Sequence, residues 1–315
     1  MNSRVHPTYK TKYHVSNWAK YDQALVQRGD ITLWISSDAM EAWNPRPSRK
    51  RGGQRKYSDI AIETALTLRL VFHLPLRQAE GFLRSILGLM DVGLEAPDHT
   101  TLSRRSRHLD TVLHPVPTTG PIHLIVDSTG LSIVGEGEWA AAKRGGNGKR
   151  GWKKLHLGVD RSGAIVAQVL TDGNADDAAT APELIDQVNG RLASFTADAA
   201  YDTTPVYDAA LARGAKVIIP PTRMATGVRR RRLRSNARDR TIKRVREVGR
   251  RQWKKESGHH RQGTVENTFF RCKSIIGDRL RARHPRAMEV EALLACNILN
   301  RMLQLGRPVS VPIGA

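Results

Sequence analysis

The spacing of apolar and polar positions changes twice along the chain. From Ser58 to about Phe72 the residues Ile62, Ala65, Leu66 and Leu70 recur at helical intervals, and Ser58 or Asp59 stands where an N-cap belongs. Leu74–Pro75–Leu76 breaks that run, and Ala79, Phe82, Leu83, Ile86 and Leu87 then mark a second helix from Leu76 to Met90. A turn at Gly93 and Pro97 leads to a third, basic helix, capped by Asp98 or Thr100 and carrying Arg104, Arg105 and Arg107. This trio reads equally as a helix-turn-helix or as a small bundle with an exposed basic face. Residues 1–56 show neither period, and so are expected to be an irregular, aromatic-sprinkled arm ending in the Pro-, Gly- and Arg-rich linker Asn44–Lys56.

From Pro121 the period shortens toward strands. Ile122–Val126 is a continuous apolar run that stops at Asp127, and KLHLGV (154–159) and AIVAQVL (164–170) flank a turn at Asp160–Gly163. A helix is expected over Asp176–Val188, a strand over Leu192–Ala197 ending at Asp198, a helix over Thr203–Arg213 and a strand over Lys216–Pro220. Helices return at Thr264–Ile276 and Arg286–Gln304. Three strands followed by helix, strand, helix and strand give an α/β chain with a mixed sheet covered by helices, the element order of a ribonuclease-H-like fold. The expected organisation is an arm and linker at 1–56, a helical, helix-turn-helix-like DNA-binding region at 57–117, a catalytic domain at 118–306 with a basic insertion at 222–258, and a tail at 307–315.

Charge sharpens this picture. The 315 residues carry a formal net charge of +21, and Arg223–Arg261 alone holds sixteen Lys/Arg against Asp239, Glu247 and Glu256. Such a local excess attracts a polyanion, since neutralising phosphates releases counterions; a solubility device is the plainer alternative. The stretch Ile60–Leu76 is interrupted by Glu63, Arg69 and His73, so no membrane span is expected. Two cysteines, Cys272 and Cys296, exclude a disulfide scaffold and a four-cysteine zinc site, and the opening residues lack a secretory signal. A soluble protein of a reducing compartment is the expectation.

Three carboxylates are placed where chemistry needs them. Asp127 in HLIVDSTG and Asp198 in ASFTADAAYD stand at the ends of strands expected to be neighbours, and Glu266 in HHRQGTVENTFFRCK begins a helix able to cross that sheet. Each has an ordinary role open to it, as a turn residue, a helix cap and a first-turn acid respectively. Brought together they would repel unless cations lay between them, and two Mg²⁺ ions suit an all-oxygen site that handles phosphate.

The ordered segments YSDIAIETALTLRLVFHLPLRQAEGFLRSIL, PDHTTLSRRSRHL, HLIVDSTGLSIVGEGEW, GWKKLHLGVD, DGNADDA, TADAAYDT and HHRQGTVENTFFRCKSIIG resemble, nearly end to end, the DDE transposases of bacterial insertion sequences, in particular the insertion sequence five group. The resemblance implies that Asp127, Asp198 and Glu266 are the catalytic, metal-binding triad, with two Mg²⁺ ions and Mn²⁺ as a substitute. It implies double-stranded DNA as substrate, both element ends and target, a homodimer on DNA, and a place in the bacterial cytoplasm with the nucleoid. The family also has a Tyr seven residues before its glutamate, an Arg four before and a Lys seven after. Here those positions hold His259, Gln262 and Lys273, with Arg261 one place from the expected arginine. By this reading Lys273, His259, Arg261, Gln262, Arg104, Arg105, Arg229, Arg230, Arg231 and Arg232 contact DNA, and Trp253 either stacks on an unpaired base or anchors a basic helix. A strand histidine is expected at His156, and Asp176 and Asp177 are expected to cap the helix that follows them. Trp152, Lys153 and Lys154 read equally as DNA contacts or as strand-edge structure. A DNA-binding relative without catalysis and another ribonuclease-H-like nuclease are the alternatives; a triad complete in sequence favours the transposase.

Overall fold

A computed structural model describes residues 13–46, 53–114, 116–117, 120–134, 151–226 and 237–313. Arg229, Arg230, Arg231 and Arg232 lie outside these residues. The helical front is made of α1 (Trp18–Gln27), α2 (Ile31–Trp34), α3 (Ser37–Glu41), α4 (Asp59–Val71), α5 (Leu76–Leu89) and α6 (His99–Arg105), after a short strand β1 (Tyr13–Val15). Ser58 caps α4 by accepting the Ala61 N–H at 3.1 Å, and Asp98 caps α6 through the Thr100 and Thr101 N–H groups. Each cap takes up a backbone donor that the first turn leaves unpaired.

The sheet contains β2 (Ile122–Ile133), β3 (Trp152–Val159), β4 (Ile165–Asp172), β5 (Leu192–Thr196) and β6 (Lys216–Ile218), in spatial order β4-β3-β2-β5-β6. β3 runs antiparallel to β2 and β4, whereas β5 is parallel to β2 and to β6. A two-residue strand, β7 (Arg279–Leu280), pairs with the far end of β2. This is the mixed sheet expected of a ribonuclease-H-like fold. Helices α7 (Asp177–Gln187) and α8 (Thr204–Ala212) cover one face, packing on Leu124, Val126 and Phe195. On the other face, α11 (Gly263–Ile275) and α12 (Pro285–Leu305) bury Val265, Phe269, Cys296 and Leu299 against Ile125, Leu155 and Leu157. Between β6 and α11 lie α9 (Ala237–Val248) and α10 (Arg250–Ser257).

The structure departs from expectation at both ends. Residues 13–46 are largely helical, and Trp34, Ile35 and Trp43 enter the same apolar cluster as Ile62, Leu83 and Leu102. Helices of one to three turns carry too few periods to announce themselves in sequence; the buried Trp34 and Trp43 hold α2 and α3 by tertiary packing. The C-terminal residues Ser310–Pro312 form β8, antiparallel to β1. α12 joins the two halves, because Val290, Leu294, Ile298 and Met302 complete the front cluster while Met288, Ala292 and Cys296 complete the sheet cluster. No helix among the described residues is long and apolar enough to cross a membrane.

Candidate active site

β2 does not stop at Asp127. It continues to Ile133 because β3 goes on pairing with it, with Asp127 opposite Leu157 and Ser128 opposite His156. The parallel partner β5 gives out earlier, at Ile125 opposite Thr196. Asp127 therefore sits inside a strand held on one side and open on the other, and Asp198 follows just past the end of β5. Strand alternation puts Asp127 on the face of Ile125, which is the face α11 covers. Glu266 lies in the first turn of that helix and is exposed. Asp198 is exposed as well, and its Oδ1 accepts the Ala200 N–H at 2.8 Å, capping the turn Ala199–Tyr201.

The electrostatics bring these acids into one neighbourhood. Burial pushes the Asp127 carboxyl up to about 6, and the charges of Asp198, Glu266 and Asp177 add to the rise, against the Ser128 N–H that donates to Oδ1 at 2.8 Å. Tyr201 is buried, its hydroxyl has no partner among the described residues, and burial with Asp177, Asp127 and Asp198 around it drives its pKa far up. Yet among the described residues no three His, Cys, Asp or Glu side chains stand at ligand spacing for a metal ion. The acids share a field without converging on a point. Their chemistry still fits hard divalent cations, since every donor is a carboxylate oxygen and a cation would relieve both the burial of the Asp127 charge and the repulsion that adds to it.

A raised carboxyl pKa means that the folded state holds its proton more tightly than the unfolded chain. The stability this confers is present at low pH and is lost as pH climbs from the ordinary value of 3.8 through about 6. In metal-free buffer, wild-type protein is therefore expected to lose melting temperature relative to Asp127→Asn across that interval. Parallel melting curves from pH 3.5 to 7.5 check this, and parallel trends for the two proteins would contradict the burial described.

Two residues at the signature positions do something the sequence did not disclose. His259 and Gln262 are each only 6% exposed, so they offer no surface to DNA. His259 Nε2 donates to the Ala197 carbonyl at 3.1 Å, and Gln262 Nε2 donates to the Val126 carbonyl at 2.9 Å. These are the carbonyls immediately before Asp198 and Asp127. Trp253 is likewise buried, with its ring 6.1 Å from that of His259, so it is an anchor and not a platform for a base. Arg105 is bound to the Asp59 carboxylate and donates to the Tyr57 carbonyl at 3.0 Å, fastening α6 to the start of α4. Burial and these bonds take His259, Gln262 and Arg105 away from the DNA contacts expected of them, and of the two roles open to Trp253 they leave the anchor.

Lys273, Arg104 and Arg261 remain exposed. Arg261 lies near Arg161 and His123, toward the start of β2. On α11, Phe270 is 68% exposed and follows Glu266 by four residues, with Lys273 seven residues on, so the three line one stripe. Asp177 does more than its place at a helix start announces. Asp176 does cap α7, accepting the Ala178 N–H at 3.0 Å, but Asp177 pairs with Lys154 at 3.0 Å and adds to the field on Asp127. His156 is fully buried, with Nε2 2.8 Å from the Thr171 hydroxyl. Lys153 pairs with Asp172 at 2.5 Å, and the Trp152 ring lies so close to Gly173 that a Cβ there would meet it at 2.6 Å.

A family model described as a transposase DDE domain matches residues 118–301, a span that includes Asp127, Asp198 and Glu266. A second model of the same description matches residues 26–136. No solved structure matches the chain.

Proposed function

The chain belongs to the transposases with a DDE domain, enzymes that cut and transfer DNA, and from that premise we propose that it binds the terminal repeats of an insertion sequence, nicks them, and joins the freed ends to target DNA. Asp127, Asp198 and Glu266 are the carboxylates assigned to hold metal. The observation that carries this reading is the match of residues 118–301 to a transposase DDE domain, a span that holds all three acids; Asp198 and Glu266, 71 and 139 residues further along the chain, also lie near enough to add to the raised carboxyl of Asp127. Held by Asp127, Asp198 and Glu266, divalent cations such as Mg²⁺ would supply Lewis-acid chemistry for phosphoryl transfer, favouring the attacking oxygen and the charge on the leaving one.

The protein's own part is positioning and charge. β2, paired to β3 from Ile125 to Ser132, fixes Asp127, and the α11 dipole favours an acid such as Glu266 in its first turn. Lys273 offers a cation for backbone phosphate on the same stripe, and Phe270 offers the exposed aromatic face that Trp253 does not. Arg104 on α6 and the exposed cations of α9 and α10 give the duplex further contacts. Two ends must be held together for joining, so a homodimer assembled on DNA is part of the proposal.

The direct test takes the DNA flanking the coding region. Duplexes carrying its inverted repeats, incubated with protein and Mg²⁺, are expected to yield a nick at the repeat boundary with a free 3′-hydroxyl, followed by joined products on added plasmid. EDTA should stop both reactions, with Mn²⁺ or Mg²⁺ restoring them. Binding without any nick under either metal would favour the non-catalytic DNA-binding alternative.

A further inference from the structure

The basic insertion has a buried side that contacts the segment carrying Asp198. Asp198 lies beyond the last paired residue of β5, so no sheet partner holds it. The short segment from Ala197 to Asp202 is instead gripped at both ends. At the first end, His259 holds the Ala197 carbonyl at 3.1 Å, and Trp253 of α10 packs against that histidine. At the second, the Asp202 side chain is fully enclosed and accepts Arg238 Nε at 2.7 Å and Nη2 at 2.9 Å, from α9, together with the Thr222 N–H at 2.9 Å. Ile242 and Trp253 are the buried apolar residues of this helix pair, while Lys243, Arg251, Lys254 and Lys255 remain exposed on its outside.

A segment whose only task was to attract phosphate would not need a buried tryptophan and a two-pronged arginine bond aimed at one loop. We propose that α9 and α10 form a brace that sets Asp198 against Asp127, with Trp253 and Arg238 as positioning residues. The inference rests on the assignment of Asp198 to the metal-holding triad. Its physical basis is that an unpaired loop pays ordering entropy each time it reaches the reactive geometry, and a misplacement of about 1 Å costs on the order of 10²-fold in rate. Contact of the outer cations with the DNA backbone and alignment of Asp198 then belong to the same pair of helices.

The test compares Trp253→Ala and Arg238→Lys with wild type by three readings. These are affinity for an element-end duplex by fluorescence anisotropy, nicking rate at saturating duplex, and the Mn²⁺ midpoint of a thermal-shift titration without DNA. Duplex affinity should stay within about twofold, while the nicking rate falls and the Mn²⁺ midpoint rises by about tenfold, the scale seen when the supports of metal ligands are removed. Trp253→Phe should recover most of both losses. Where Trp253→Ala fails to fold, Arg238→Lys carries the comparison, with its Mn²⁺ midpoint still expected to rise by about tenfold and that of Trp253→Phe to stay near the wild-type value. Wild-type nicking rates and Mn²⁺ midpoints in these variants would overturn the brace, as would a rate loss explained wholly by weaker duplex binding. Absence of nicking in the wild type itself would instead count against the transposase reading, and the Mn²⁺ midpoints would still decide the brace.

Discussion

Asp127→Asn is expected to bring nicking of element-end DNA to background while the duplex still binds. Asparagine keeps the shape of the side chain, and its carbonyl oxygen can still accept the Ser128 N–H, so β2 keeps its local geometry. What disappears is one negative charge from a group of four acids, and with it a hard oxygen donor that a divalent cation needs. The same change removes a buried charge, so the metal-free variant should melt higher than wild type above pH 6 while losing its thermal response to Mn²⁺. Stability and activity thus move in opposite directions, which a general folding defect could not produce. A variant that nicks at the wild-type rate would remove Asp127 from the mechanism.

Trp43→Ala is expected to be the most destabilising single change outside the sheet, by about 3–5 kcal/mol. Trp43 is completely buried, its indole N–H donates to the Glu95 carbonyl at 2.8 Å, and its own carbonyl accepts the Ser58 N–H at 3.0 Å, just where α4 begins. Truncation would leave a cavity among Ile62, Leu83 and Leu102 and would strip the Glu95 carbonyl of its partner. Had residues 1–56 been a solvated arm, the change would fall within about 0.5 kcal/mol of neutral. Chemical denaturation of the two proteins separates these values cleanly. A near-neutral result would mean that the front helices pack on the core only loosely.

Much of the sheet was legible in sequence because strands and long helices repeat their apolar spacing many times. The runs at 122–126, 154–159, 164–170 and 192–197 all became strands, and the period at 58–72 and 76–90 became α4 and α5. The helices at 18–41 were not legible. They are one to three turns long, and what holds them is the burial of Trp34 and Trp43 by residues distant in the chain. The extent of β2 was misread for a related reason: pairing with β3 carries the strand beyond Asp127 through Ser128, Thr129 and Gly130, which on their own look like a turn.

For the candidate site, the sequence supplied the types of the acids and the elements that carry them, since a carboxylate beside an apolar run and another at a helix start are local features. Its charge excess likewise marked a stretch suited to phosphate. Only the tertiary structure decided which side chains face that site and which are consumed in building it. His259 and Gln262 looked available for DNA and are buried supports, Trp253 was open between base and anchor and is buried as an anchor, and Asp177 looked like a cap and adds its charge to Asp127. The reason is physical: exposure and hydrogen-bond partners depend on chain segments tens to more than a hundred residues apart, and no local spacing encodes them.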